Sequence, residues 1–350
     1  MDFLYERLLR PLLFHLDPER AHEYARNLLQ NASRLRPVCT WMSRRSQVGE
    51  GVSLWGLQFP NRVGLAAGMD KDAEFVLGSA ACGFGHVEVG TVTPEAQPGQ
   101  PQPRMFRLPE HEALINRMGF NNKGVGAMRV RLEKLPPPGR RPVPVGINIG
   151  KNKSTALEDA GRDYEYCFRQ LADLADYFAV NVSSPNTEGL RQLQESERLR
   201  ASLRGVQEAN AARGAHRLPL LLKISPDLTF AEAEELLTTV EAMGIDGLIV
   251  ANTTVDRDML PAGAWERGGL SGKPLLRRST DLLRFVHETT GGRLPLIGVG
   301  GVVDAATAAA KLEAGASLVQ VYTGWVYRGP FFPRTLARSL RRHEEAPLPR

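Results

Sequence analysis

The sequence predicts a (β/α)8 TIM barrel with a short N-terminal helical extension, and three observations point to it. Eight short apolar or β-branched runs, at 62–67, 86–92, 143–149, 177–183, 220–224, 247–252, 296–300 and 317–322, alternate with stretches of helix formers. Each run is apolar along its length rather than at every second residue, as expected of parallel strands covered on both faces. Nearly every run closes on a polar residue or a glycine, and in such barrels the site is built at the C-terminal strand ends. A chain of 350 residues has room for this barrel as one large domain.

In chain order, residues 1–45 are expected to form a helical pair and 46–350 the barrel. Phe3, Leu4, Leu8, Leu12 and Leu13 make an apolar stripe that Pro11 should kink or interrupt. Asp17-Pro18 supplies a side-chain cap and a first-turn proline, and Ala21, Tyr24, Ala25, Leu28, Leu29 and Ala32 follow at helical spacing. That helix should end before Pro37. Residues 1–46 hold eight arginines against five acids, with no acid between Tyr24 and Gly49. The pair therefore suits either a cap on the barrel or an anionic membrane surface. Further along, 231–243 and 305–314 read as helices, the second capped by Asp304. About fifty residues separate the second and third runs, and an insertion of that length is expected to lie over the barrel mouth. The proline-rich stretch 136–144 reads as a connector into the third strand.

Composition narrows the function. With 42% hydrophobic and 24% charged residues the chain is globular rather than disordered. Its net charge of +5 is accompanied by no zinc-finger spacing, ribonucleoprotein motif or long basic run, which argues against nucleic acid. Cys39, Cys82 and Cys167 are odd in number and far apart, so neither a disulfide framework nor a metal site is expected, and a reducing compartment is. No apolar stretch reaches the roughly 18 residues of a membrane span.

Three asparagine-rich segments stand beside apparent strands: Asn116-Arg117-Met118-Gly119-Phe120-Asn121-Asn122, Asn181-Val182-Ser183-Ser184-Pro185-Asn186 and Asn252-Thr253-Thr254. An asparagine amide both donates and accepts, so several together suit a planar ligand with alternating C=O and N–H groups, such as a pyrimidine. Ser184 among them is a candidate proton acceptor. Asn, Ser and Pro also make turns, and each segment taken alone fits that reading too. Other strand ends carry Ala67-Gly68-Met69-Asp70-Lys71, Thr91 and Asn148. Lys223 sits inside an apolar run, where an ammonium needs a partner, and a ligand is the expected one. The seventh and eighth runs give Gly298-Val299-Gly300-Gly301 and Tyr322-Thr323-Gly324, where barrels commonly hold a phosphate. With Gly268–Gly272 these imply a phosphorylated cofactor, although neither a GxGxxG nor a GxxxxGK[ST] pattern is present.

These segments, in this order and over nearly the whole chain, closely resemble the quinone-dependent, membrane-associated class of dihydroorotate dehydrogenase. The resemblance implies an FMN enzyme of pyrimidine synthesis that oxidises dihydroorotate to orotate and passes electrons to ubiquinone or menaquinone. It also implies a monomer held as a peripheral protein at the cytoplasmic face of the cell membrane by its N-terminal helices. Ser184, where soluble classes carry Cys, and the N-terminal extension select this class over soluble ones that use fumarate or NAD. FMN is expected against Ala67, Gly68, Met69, Asp70, Lys71, Thr91, Asn148, Asn181, Lys223, Ala251, Gly272, Gly301, Tyr322 and Thr323. Orotate is expected against Lys71, Asn116, Arg117, Met118, Gly119, Phe120, Asn181, Asn186, Asn252 and Thr253. Ser184 would be the base, with a relay past Thr187 and with Phe120 limiting solvent. Two positions depart from the pattern: Ala251 stands for a common Thr and Ala73 for a common Gly. Rival readings are another FMN barrel acting on pyrimidine bases and a barrel that binds without catalysing.

Overall fold

The computed structural model describes residues 4–46, 51–263 and 265–344. Eight parallel strands close into a barrel: Val63–Leu65, His86–Val92, Val145–Ile149, Tyr177–Asn181, Leu220–Ile224, Gly247–Val250, Leu296–Val299 and Leu318–Val321. Each pairs with the next in sequence, and the eighth pairs with the first through Val319 opposite Val63. All eight expected runs are therefore barrel strands, trimmed at their ends where the polar residues turn into loops.

Apolar packing forms two layers. Between strands and outer helices lies a continuous core that includes Val87, Ile147, Phe178, Leu222 and Val319. Inside the barrel, Tyr177, Ala179, Leu221, Ile249, Ile297 and Leu318 form a second cluster. A hairpin that the sequence reading did not anticipate, Val52–Leu54 with Leu57–Phe59, joins that inner cluster through Phe59 and Trp55. Trp55 donates its indole N–H to Asp246 O at 2.7 Å, so the hairpin stoppers the end of the barrel away from the strand C-termini.

The N-terminal part has four helical segments among the described residues rather than two. A π-helical turn (Tyr5–Leu9) runs into Arg10–His15, where Pro11 sits in the first turn, so it marks a change of helix rather than a break. Pro18–Arg34 begins as expected, with Asp17 accepting from the Glu19 and Arg20 N–H groups at 3.0 and 3.1 Å. It ends before Pro37, but Arg36–Ser46 then starts a further helix, because proline is tolerated in a first turn. Phe3 lies outside the described residues. One face of these helices packs on the barrel: Ser33 Oγ accepts the Gly78 N–H at 2.8 Å, and Tyr5 donates to Val326 O at 2.7 Å. The other face leaves Leu4, Leu8, Leu12, Leu28, Leu35 and Trp41 exposed.

The insertion after the second strand lies over the mouth, as expected, and is more ordered than a loop. Its strands Met105–Leu108 and Ala113–Asn116 form a hairpin, and Gly269–Gly272 from the insertion after the sixth strand adds antiparallel to it, Gly269 opposite Asn116. This three-stranded sheet roofs part of the mouth.

Ala73 has φ +56°, a left-handed conformation that a Cβ disfavours by roughly 1–2 kcal/mol, which explains why glycine suits the position. Glycine's own loss of chain entropy offsets part of that gain. Ala73→Gly is thus expected to stabilise the protein by about 0.5–1 kcal/mol, read as a higher urea midpoint at unchanged slope. A lower midpoint would show that the loop relieves the strain elsewhere.

Candidate active site at the barrel mouth

The strand ends line a cavity that opens at the C-terminal face. Its lining comes from the ends of the first, second, fourth, fifth, sixth, seventh and eighth strands and from both roof insertions.

On one side the asparagine segments do converge. Asn186 Nδ2 donates to Asn116 Oδ1 at 3.2 Å, and Asn252 Nδ2 donates to Ser183 Oγ at 3.0 Å and Asn181 Oδ1 at 3.4 Å. Asn181 Nδ2 in turn donates to Thr91 Oγ1 at 3.0 Å, and Thr91 Oγ1 donates to Asn148 Oδ1 at 2.5 Å. Ser184 is buried at the cavity wall, and its Oγ accepts the Asn186 N–H at 3.3 Å. The loop residues Met118, Gly119 and Phe120 cover this side, tied down by the Gln100 N–H to Met118 O at 3.0 Å.

The floor is a buried polar network centred on Glu88, a residue the sequence reading missed. Glu88 accepts from Asn148 Nδ2 at 2.8 Å and Gln320 Nε2 at 2.7 Å, and Lys223 Nζ lies 3.6 Å from its carboxylate. Lys223 therefore has an internal counter-ion, which corrects the expectation that a ligand alone would satisfy it. Its amine still borders the cavity, so it faces both Glu88 and whatever the cavity holds. The clue was present in sequence: Glu88 stands between Val87 and Val89 in the second strand just as Lys223 stands between Leu222 and Ile224 in the fifth.

At the far side the lining is glycine and hydroxyl: Ser271, Gly272, Gly300, Gly301, Thr323 and Gly324. Ser271 Oγ and Thr323 Oγ1 are 2.9 Å apart. Gly301 has φ +80°, and a Cβ there would stand 2.3 Å from Leu276 Cα, so only glycine fits.

A fourth group joins the N-terminal helices to the cavity edge. Arg104 is clamped to Glu19 at 2.6 Å and donates to Pro98 O and Gln100 O at 2.6 and 2.8 Å. Desolvation brings the cavity-facing Lys71 ammonium down to about 8, with Glu19 pulling it back up and Arg104 adding to the fall. Burial, reinforced by Lys71 and Arg26, pushes the His22 imidazole down to about 3 and keeps it neutral. Tyr322, on the cavity wall, is pushed up to about 12 by burial and then by Glu19. Glu19, His22 and Arg104 were not singled out from sequence, since nothing local marks them as neighbours of Lys71.

Of the residues expected at the site, Ala67, Gly68, Lys71, Thr91, Asn116, Met118, Gly119, Phe120, Asn181, Ser184, Asn186, Lys223, Ala251, Asn252, Thr253, Gly272, Gly301, Tyr322 and Thr323 line the cavity. Five do not. Asn148 stands behind Thr91. Asp70 turns away to accept the Glu74 and Phe75 N–H groups at 2.7 and 2.9 Å, and its burial raises its carboxyl to about 7. Met69 is packed in the core beside it. Arg117 reaches outward to Glu266 at 2.8 Å, and Thr187 is buried behind the Ser184 turn. A further missed residue, Arg191, fastens that turn by donating to Ser183 O at 3.2 Å, Thr253 O at 2.9 Å and Asp227 at 2.7 Å.

Residues 51–343 match the sequence model described as dihydroorotate dehydrogenase. The chain belongs to the dihydroorotate dehydrogenase family. A family member from Chloroflexus aurantiacus, named dihydroorotate dehydrogenase (quinone), is 48% identical over 355 residues, covering 97% of each chain. One of the same name from Xanthomonas oryzae pv. oryzae is 48% identical over 346 residues, again covering 97% of each. Among solved structures, DHODH from Eimeria tenella in complex with ferulenol superposes with a TM-score of 0.79 at 36% identity, covering 93% of this chain and 90% of that one. Dihydroorotate dehydrogenases are flavin enzymes, and the cavity just described lies where barrels of this type bind ligands.

Proposed function

We propose that this chain oxidises (S)-dihydroorotate to orotate and passes the electrons through FMN to a membrane quinone, ubiquinone or menaquinone, in pyrimidine (UMP) biosynthesis. The observation that carries the reading is one cavity that joins Ser184 and four asparagines on one side, a lysine over a buried carboxylate on its floor, and a glycine–hydroxyl lining on the far side.

The residues present fit a flavin mononucleotide. Gly272, Gly301 and Thr323 offer backbone and hydroxyl donors for a phosphate; Ala67, Gly68, Thr91, Asn181, Lys223, Ala251 and Tyr322 border the space for the ring system, with Asn148 behind it. When bound, the flavin supplies the hydride acceptor. Ala251 engages Val299 O through its N–H at 3.2 Å, so its backbone position is fixed without a hydroxyl.

Substrate binding falls to the other side. The Lys71 ammonium pairs with the substrate carboxylate, while Asn116, Asn181, Asn186, Asn252 and Thr253 match its ring C=O and N–H groups and Met118–Phe120 exclude water. Ser184 Oγ takes the C5 proton and gives up its own hydroxyl proton through a relay past Thr187. The Asn186 N–H bonded to that oxygen favours the negative charge it develops as its own proton leaves, and Arg191 holds the turn through Ser183 O. Lys223, kept in place by Glu88, stabilises the negative charge that accumulates in the cavity as electrons arrive.

Residues 1–45 form the membrane- and quinone-facing element, 46–350 the flavin-binding barrel, and the protein acts as a monomer peripheral to the cytoplasmic face of the cell membrane. Among the described residues no helix is long and apolar enough to cross a membrane. What supports attachment is the apolar outer face of the N-terminal helices, where Leu12 and Leu28 are 67% and 72% exposed, next to their arginines. Each leucine buried in lipid contributes about 1.5–3 kcal/mol. Replacing both by Glu is expected to weaken binding to anionic vesicles at least tenfold while sparing flavin reduction by dihydroorotate; unchanged sedimentation with vesicles would remove this face from the proposal.

The test of the function is anaerobic absorbance of the purified protein. Dihydroorotate should bleach the flavin and a quinone restore it. Restoration by fumarate or NAD alone would assign a soluble-type electron acceptor, and no bleaching would mean a different substrate.

A further inference from the structure

Lys311 lies on the helix Ala305–Glu313 and is fully buried, with its stem packed on the seventh strand at Gly298. No carboxylate forms an ion pair with it among the described residues. Its Nζ donates instead to Ser279 Oγ at 2.5 Å, and burial pushes its ammonium down to about 7, with the more distant Asp281 opposing. A buried lysine without a counter-ion is costly, and the mechanism above gives it no role.

Ser279 leads from Lys311 to the cavity. Its Oγ is 2.8 Å from Leu275 O and 3.1 Å from Gly300 O, and Leu275, Gly300 and Gly301 all line the glycine–hydroxyl end. In a planar trans peptide, C=O and N–H point in opposite directions. With the Gly300 carbonyl turned back toward Ser279, the Gly301 N–H is turned away from Ser279, and it has no protein acceptor among the described residues. Among the described residues the cations that line the cavity are Lys71 and Lys223, and neither belongs to the glycine–hydroxyl group.

We propose that Lys311 is a positioning residue for the phosphate end of the cofactor: through Ser279 it holds the Gly300–Gly301 turn with its N–H facing inward, and it is the buried cation that balances the phosphate's charge from behind the lining. The inference rests on the FMN reading above. A phosphate in front of the turn also accounts for the lysine, because an anion nearby lowers the cost of keeping the ammonium charged.

The experiment is displacement of FMN from the full-length holoenzyme by riboflavin, which shares the ring and lacks the phosphate. Flavin released at each riboflavin concentration gives the ratio of the two affinities, a quantity that general loss of stability moves little because both ligands need the folded barrel. Lys311→Met, of similar length, is expected to lower the FMN preference at least tenfold. A preference within twofold of the parent's would overturn the proposal. If Lys311→Met does not yield folded protein, Ser279→Ala breaks the same link and should lower the preference about threefold, with no change again counting against it. A parent enzyme that holds FMN no better than riboflavin would instead overturn the phosphate reading of the cavity, and this inference with it.

Discussion

Ser184→Ala is expected to slow flavin reduction by dihydroorotate about 10²–10⁴-fold at neutral pH, the usual range for loss of a general base, with the flavin still bound. Among the described residues no carboxylate and no histidine lines the cavity, which points to a hydroxyl or an amine as the base. Thr91 spends its proton on Asn148, Thr323 is paired with Ser271, and Lys223 faces Glu88. Lys71 is assigned to the substrate carboxylate and burial holds Tyr322 as a neutral phenol, which leaves Ser184 and Thr253; Ser184 is the one proposed, beside the asparagines and with a backbone N–H on its oxygen. Because a serine hydroxyl is a weak base, the parent's reduction rate should climb steadily with pH. Ser184→Cys should move that climb to lower pH, since a thiol ionises more readily. Single-turnover bleaching in a stopped-flow instrument reads both effects, and a near-parental rate in Ser184→Ala would remove the serine as base.

Breaking the pair on the cavity floor should be nearly as damaging, to stability as well as to rate. Lys223→Met strands the Glu88 carboxylate, which is fully buried, and removing one member of a buried ion pair typically costs about 3–5 kcal/mol. Adding Glu88→Gln removes the stranded charge while keeping an acceptor for Asn148, so the double variant should recover part of the loss. Urea unfolding of the two single variants and the double gives the coupling directly. Strictly additive losses would show that the two side chains do not act as a pair.

The barrel was legible in the sequence because parallel strands buried on both faces leave continuous apolar runs, and all eight are present. The asparagine and Ser184 segments were legible because strand ends in a barrel have one destination. What could not be read is pairing over distance. Gly269–Gly272 carries one large apolar side chain and looks like a turn, yet it is a strand because Ala113–Asn116 is there to receive it. The helix Arg36–Ser46 was hidden by Pro37, which signals a stop and a first turn equally well. Asp70 sits in a conspicuous motif that suggested ligand contact, and its carboxylate is taken up in capping the next turn of backbone. Glu88, His22 and Arg191 were missed because each acts on a residue far away in the chain.

The roof sheet has a consequence for how the molecule is made. Asn116 lies on a strand whose partner, Gly269–Gly272, is about 150 residues further along, and the eighth barrel strand comes later still. During synthesis from the N-terminus the substrate side therefore stays uncovered until most of the chain has left the ribosome. Gly301, Tyr322 and Thr323 are made after Gly269–Gly272, so the roof and the glycine–hydroxyl end of the cavity are both completed only when the last quarter of the polypeptide arrives. The order of translation thus leaves the whole site unformed until the chain is nearly complete, so cofactor and substrate alike meet a finished barrel.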